Sequence, residues 1–233
     1  MVQRLDWDSD FFGFEVGLIN DTTNESIFSF ANKDYELIYH QSHLSTCPII
    51  HGYYLCYSEK KITFSKKITS GTPLCSNIVR FNETRHNIED LYKLAHVSGQ
   101  HSRFFLDKKF KSSSFFELYN TWVDKSVDCS IADYVLVYEV DQQVIGFITA
   151  KFDNPSGRAK IGLLGIDEKS QGKGVGSSLI RELETIAYQN NIFSIDVPTQ
   201  KHNNLACAFY KKKGYLENQQ IYINHYWKHE DTV

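Results

Sequence analysis

The stretch DEKSQGKGVGSSLIREL, residues 167–183, sets three glycines in five positions and then turns helical. Gly172, Gly174 and Gly176 leave the backbone bare where a helix begins. The first turn of a helix carries unpaired N–H groups and the positive end of the dipole, so the ligand such a loop favours is an anion. Three nucleotide-binding patterns put glycines at this kind of junction, and spacing separates them. A P-loop needs a glycine five residues before its Gly-Lys pair and a Ser or Thr directly after it; Asp167 and Gly174 hold those places. A dinucleotide fold needs G-x-G-x-x-G near the start of an alternating parallel unit, whereas this run is G-x-G-x-G and comes late. The third pattern, Q-x-x-G-x-G from Gln171 to Gly176 at a strand-to-helix junction, fits.

Outward from the loop, the segments on both sides are well specified. GRAKIGLLGID (157–167) reads as a strand entering the loop, and residues 174–191 as the helix leaving it. Val175, Leu179, Leu183, Ile186 and Ala187 recur at helical spacing, opposite Arg181, Glu182 and Glu184, so this helix packs on a sheet. IFSIDVPT (192–199) is the next strand. The helix NNLACAFYKKK follows, with Asn203 as N-cap, lysines at its negative end and Gly214 as its stop. A strand pair ending YINHYWK closes the chain. Upstream, IVRF (78–81) is a strand, and NIEDLYKLAHVSG (87–99) and SFFELYNTWVDKSV (114–127) are helices. YVLVYEV and VIGFITAKF form strands around an Asp141–Gln142 turn. VGLIN and ELIYHQS read as strands and NESIFSFANKDY (24–35) as a helix. GYYLCYS and KITFSKKI, split by charged residues, read as a hairpin. The polar stretch TSGTPLCSN (69–77) marks a boundary between a small leading α/β domain, residues 1–75, and a larger one, 76–233. The fold class is α/β, a mixed central sheet flanked by helices.

Composition limits the function classes. The chain has 233 residues, 42% hydrophobic and 14% aromatic, with a formal net charge of -3 and a pI near 6.3. No basic stripe marks a nucleic-acid partner. No apolar signal core or bilayer-length span points to a membrane. Five dispersed cysteines, without metal-like spacing, suit reduced thiols and predict a cytoplasmic protein with no metal.

Gln171-Gly172-Lys173-Gly174-Val175-Gly176 resembles the pyrophosphate loop of the GNAT superfamily of N-acetyltransferases. Asn203-x-x-Ala206-x-x-Phe209-Tyr210-x-x-x-Gly214-Tyr215 is similar to the second signature of that superfamily, and the element order agrees over about residues 76–228. The resemblance implies the GNAT (acyl-CoA N-acyltransferase) fold, acetyl-CoA as cosubstrate, and N-acetylation of an amine. It implies that Gln171, Gly172, Lys173, Gly174, Val175, Gly176 and Ser177 hold the pyrophosphate. The pantetheine arm would add to a splayed strand at Leu164, Gly165 and Ile166, with Gly165 expected at a bulge. Asn203 would offer its amide to the arm as well as cap its helix. A backbone N–H of Leu164 or Ile166 would serve the oxyanion, and Tyr210 matches the usual general acid. The base stays open among His101, His225, Glu117, Asp196 and a water relay.

The opening LDWDSDFFGFEVG (5–17), with SRFFLDKKF (102–110) and FFELYNTWVDKS (115–126), is similar to the dTDP-fucosamine acetyltransferase branch of the superfamily. That likeness implies a nucleotide-linked amino sugar as acceptor, of the dTDP-4-amino-4,6-dideoxyhexose type, made for cell-surface polysaccharide. Arg103 is then the candidate for the diphosphate and Phe104 or Phe105 for stacking. The aromatic opening is equally readable as a hydrophobic plug. A protein N-terminus, a polyamine or another small amine is the alternative acceptor, and a non-catalytic CoA-binding domain the alternative class. Monomer and homodimer stay open.

Overall fold

The computed structural model describes residues 2–21, 27–28, 35–45, 47–71 and 75–229. The leading part comprises β1 (Gln3–Arg4), α1 (Asp6–Phe12), β2 (Val16–Asp21), β3 (Ile27–Phe28), β4 (Leu37–Ser42), β5 (Ile49–Ile50) and β6 (Tyr53–Lys67). Next come β7 (Ile78–Arg80), α2 (Ile88–Gly99), α3 (Arg103–Leu106), α4 (Ser112–Val127), β8 (Tyr134–Val140), β9 (Gln143–Asp153) and β10 (Arg158–Ile166). The chain ends with α5 (Val175–Gln189), β11 (Ser194–Gln200), α6 (Asn204–Lys212) and β12 (Leu216–Lys228). Among these residues no helix is long and apolar enough to cross a membrane.

Ten strands form one mixed sheet in the order β1-β2-β4-β12-β6-β11-β10-β9-β8-β7. Alternation along each strand divides the core between the two faces. Phe147 on β9 packs with Leu91, Leu94, Phe115 and Val123 of α2 and α4. Its neighbour Ile148 faces Val175, Leu179 and Leu183 of α5. The β8–β9 turn is tight because Asp141 and Gln142 both take positive φ, 49° and 64°, the conformation a two-residue hairpin requires. Strands from both sides of residues 75–76 share the sheet, and β6 is hydrogen-bonded between β11 and β12.

Four expectations change. The hairpin over 52–68 is one fifteen-residue strand, β6; Glu59–Lys60 contains no residue that favours the positive φ of a turn, so the chain runs straight through. The closing strand pair is likewise one strand, β12, which absorbs its polar stretch as a register shift between Glu217 and Gln219. Most of the helix expected over 24–35 lies outside the described residues; within it, Ile27–Phe28 is a strand paired with Ile49–Ile50. The bulge expected at Gly165 lies at 162–163, since β10 shifts register against β9 between Ile161 and Leu164 and the Leu163 N–H turns to Thr149 Oγ1 at 2.9 Å. Gly165 has a packing role instead: a Cβ there would stand 2.5 Å from the Leu94 carbonyl oxygen and 2.7 Å from the Phe147 ring. Its bareness lets α2 lie against the sheet.

Candidate active site

The site begins as a defect in the sheet. β10 and β11 pair in parallel only over Arg158–Lys160 and Ser194–Asp196. Beyond that, β10 stays with β9 to Ile166 and β11 stays with β6 to the pair Gln200–Lys61, so the two strands part. A cavity of about 470 Å³ occupies the opening, walled by Ile161–Leu164 on one side and Val197–Gln200 on the other. Asn203, Ala206 and Tyr210 of the α6 segment line it, as do Ser102, Arg103 and Phe104 and, from α1, Trp7 and Asp8. Both motif-bearing halves of the chain therefore meet in one chamber.

The glycine loop lies at the end of β10. Gly172 and Gly174 take φ of +74° and +91°, and nothing lies within 4 Å of a Cβ built on either. An L side chain would be strained at both positions. The first intrahelical bond of α5 runs from Ser178 N–H to the Gly174 carbonyl at 3.0 Å. The N–H groups of Val175, Gly176 and Ser177 therefore precede the helix ladder, as in any first turn. The Val175 side chain is itself core, so its backbone alone is offered. A Cβ at Gly176 would stand 3.4 Å from the Phe209 ring of α6. Lys173 is exposed beside the loop, and the Gln171 amide donates to the Ile166 carbonyl at 3.3 Å, tying loop to strand. Bare, cationic and donor-rich, this cradle fits a pyrophosphate.

Asn203 lines the cavity and caps α6, its Oδ1 accepting from Ala206 N–H at 3.0 Å, while its amide nitrogen has no hydrogen-bond partner among the described residues. Tyr210 is 5% exposed and packs against Phe64, Phe209 and Tyr215. Burial pushes its phenol well above the ordinary tyrosine range, so it keeps its proton throughout neutral pH. Leu164 lines the cavity, whereas Gly165 and Ile166 are absent from its wall.

The opposite end is charged. The Arg103 guanidinium lies over the rings of Tyr39 (4.2 Å) and Phe104 (4.7 Å), and its Nη1 is buried without a hydrogen-bond partner among the described residues. A buried donor left unpaired is costly, which makes it a natural place for an acceptor oxygen. Burial raises the Asp8 carboxyl, an effect Arg103 partly offsets. Burial, with Arg103 and Lys160 nearby, lowers Lys61 to about 8. Trp7 is 39% exposed and stacks on Phe11 with centroids 5.1 Å apart. Phe12 and Phe14 instead pack with Phe110 and Trp227, so the aromatic opening is both plug and cavity wall. Phe105 is exposed and off the cavity, against Phe115.

None of the four sequence candidates for the base reaches this chamber. His101 and Glu117 are exposed elsewhere, and Asp196 is held by Arg158 and Ser65. His225 is fully buried, its Nδ1 hydrogen-bonded to Asp107 at 2.6 Å. Sequence reading missed Asp8, Glu59, Lys61, Tyr119 and Trp122, all on the wall. The charged break in the apolar pattern at 59–61 was the available signal. Among the described residues no group of His, Cys, Asp or Glu is placed to hold a metal ion.

Comparison with known proteins adds to this geometry. Residues 89–215 match the sequence model of the Acetyltransferase (GNAT) family. An uncharacterized protein of Bacillus subtilis, YxbD, is 30% identical over 97 residues, 42% of this chain and 58% of that protein; the chain thus spans less than two thirds of the curated relative it matches. A GNAT-family structure from Novosphingobium aromaticivorans superposes with a TM-score of 0.56 at 13% identity, covering 85% of this chain and 77% of the other. A conserved protein of unknown function from Staphylococcus epidermidis gives 0.55 at 15% identity, covering 84% and 74%. These two structures share the fold.

Proposed function

The chain belongs to the acetyltransferase (GNAT) family, and on that premise we propose that it moves the acetyl group of acetyl-CoA onto the amine of a nucleotide-linked amino sugar. The observation that carries the reading is the single chamber in the split between β10 and β11, which Leu164, Asn203 and Tyr210 share with Arg103 and Trp7. The loop Gln171–Ser177 receives the pyrophosphate on its N–H groups, and the unpaired edge of β10 receives the amide-bearing arm. Acetyl-CoA supplies an activated acyl carbon and a thiol leaving group. A backbone N–H of the Leu164–Ile166 segment stabilises the oxyanion, and Tyr210, protonated because it is buried, gives its proton to the departing sulfur.

The acceptor end supports a diphosphate with a base attached. Arg103 has an unpaired buried nitrogen and a fork suited to phosphate. Trp7 presents a partly exposed ring on the same wall. A polyamine would meet Arg103 and Lys61 there, which disfavours it. The test is kcat/KM for dTDP-4-amino-4,6-dideoxygalactose, the free amino sugar, spermidine and a short peptide amine, followed by thiol release. The linked sugar is expected to lead, because remote contacts orient the amine. A faster peptide or polyamine overturns the sugar assignment, and a chain that acetylates none of the four overturns the transfer itself.

A further inference from the structure

Glu59 is the one carboxylate contributed to the chamber by the central strands of the sheet, and its surroundings are unlike those of a structural acid. It is 5% exposed yet lines the same cavity as Leu164 and Tyr210. Among the described residues its single side-chain hydrogen bond comes from the Tyr57 hydroxyl to Oε2 at 3.1 Å. Among the described residues no Lys, Arg or His lies within ion-pair distance of it, although nearby carboxylates are paired: Glu184 with Lys66, Glu217 with Lys201 and Lys211, Asp196 with Arg158. In register it stands opposite Ile223 on β12, two residues beyond the last β6–β11 pair, Lys61–Gln200. That is the open end of the split. Along β6, alternation puts Glu59 and Lys61 on one face and Ile62 and Phe64 on the other. Since Phe64 is the β6 side chain packed against Tyr210, Glu59 and Tyr210 enter the gap from opposite faces of the sheet.

From this placement we propose that Glu59 is the group that takes the proton from the acceptor ammonium, an assignment that rests on the acetyl transfer proposed above. The step balances with the residues present. Glu59 removes one proton and frees the nitrogen lone pair. That pair forms the C–N bond, the C–S pair leaves on sulfur, and sulfur takes the Tyr210 proton. The surplus proton on the new amide nitrogen restores the phenol, and Glu59 returns its own to solvent. A carboxylate is an adequate acceptor only if its affinity for the proton is raised. Desolvation raises it here, opposed by Arg103 from α3, Tyr57 and Lys61 on its own strand, and His202 before α6; Tyr119 of α4 also faces it. Asp8, the other carboxylate of the cavity, is only part-buried and stands on a seven-residue helix, a poorer mount for a proton acceptor than the buried Glu59 on a central strand.

The experiment compares wild type, Glu59→Gln and Glu59→Asp as full chains, using whichever of the four amines above wild type acetylates fastest. Glu59→Gln is expected to lower kcat by about 10²–10⁴, to lose the acidic limb of the kcat/KM profile, and to bind CoA by calorimetry as wild type does. Glu59→Asp should keep that limb at reduced kcat. In the free protein, ¹³C-carboxyl glutamate labelling should show a resonance, missing in Glu59→Gln, that titrates above the ordinary glutamate range. A folded Glu59→Gln with wild-type kcat and an unchanged limb overturns the assignment while the transfer stands. A wild type inactive on every amine overturns both.

Discussion

Replacing Gly174 separates the loop's conformational role from its electrostatic one. At φ +91°, with nothing within 4 Å of an added Cβ, the Cβ of alanine or of aspartate meets no neighbour; both carry the cost of the left-handed backbone, about 1–2 kcal/mol. For a chain of this size each kcal/mol is worth roughly 2–4 °C, so both variants should melt about 2–8 °C below wild type. Their effects on the cofactor diverge. Alanine adds a methyl group at the mouth of α5, whereas aspartate adds an anion where the proposed pyrophosphate rests. A unit charge ~4 Å from a phosphate oxygen at an effective dielectric of ~20 repels by about 4 kcal/mol, roughly a thousandfold in Kd. Calorimetric titration of CoA into each variant, with melting curves to establish folding, is the assay. Gly174→Ala should stay within about tenfold of wild type, the allowance one order of magnitude of strain permits. A folded Gly174→Asp that binds CoA like wild type would refute the pyrophosphate cradle.

The other substitutions read different parts of the site. Tyr210→Phe keeps the ring against Phe64 and Tyr215, so kcat should fall about 10²–10⁴ while the melting temperature barely moves; near-normal turnover where chemistry limits the rate would return Tyr210 to a packing role. Arg103→Ala should raise KM for the nucleotide-linked sugar more than for the free one, and equal effects would detach Arg103 from the diphosphate. Gly165→Ala forces a methyl group against the Leu94 carbonyl and Phe147; overpacking of this kind costs about 1–3 kcal/mol, so an unchanged melting temperature would contradict the close approach of α2. Burial lowers His225 to about 4. The unfolded chain then gains a proton near pH 6.5 that the folded chain refuses until about 4, so stability should fall as pH drops through that window. Denaturant midpoints for wild type and His225→Asn across that range test it, since the variant should lose part of the slope.

The motifs survived translation into structure because their chemistry is local. A glycine needed at positive φ, an asparagine at a helix start and an amphipathic period are all set by neighbours a few residues away, and Gly172, Gly174, Asn203 and the apolar residues of α5 stand where the sequence put them. Glu182, read on the polar face of α5, is instead buried and accepts from the Cys75 N–H at 3.0 Å. Gly165 shows the limit. A glycine in a strand signals either a bulge or a close approach, and only the distant Leu94 distinguishes them. The acceptor end was harder still. Glu59, Lys60 and Lys61 interrupt an apolar run as a turn would, and nothing within β6 indicates that two of those charges line a chamber completed by α3, α6 and β10. A local rule fails there because the site, and not the strand, explains the residues.

The place of β6 has a consequence for the order in which the chain can acquire its structure. Its hydrogen-bonding partners, residues 194–200 and 216–228, are made long after it. At ~5–20 residues per second the ribosome would keep β6 waiting on the order of ten seconds for either neighbour. Through that interval a fifteen-residue strand stands with both edges open, the condition under which nascent chains pair wrongly with one another. Lysines at 60, 61, 66 and 67 and Glu59 are spread along it, and charge on an edge is the usual defence. The side chains that crowd the acceptor end of the finished chamber thus guard the same strand before any chamber exists, so a Glu59→Leu/Lys61→Leu double variant should aggregate during synthesis even where its finished fold would tolerate the exchange.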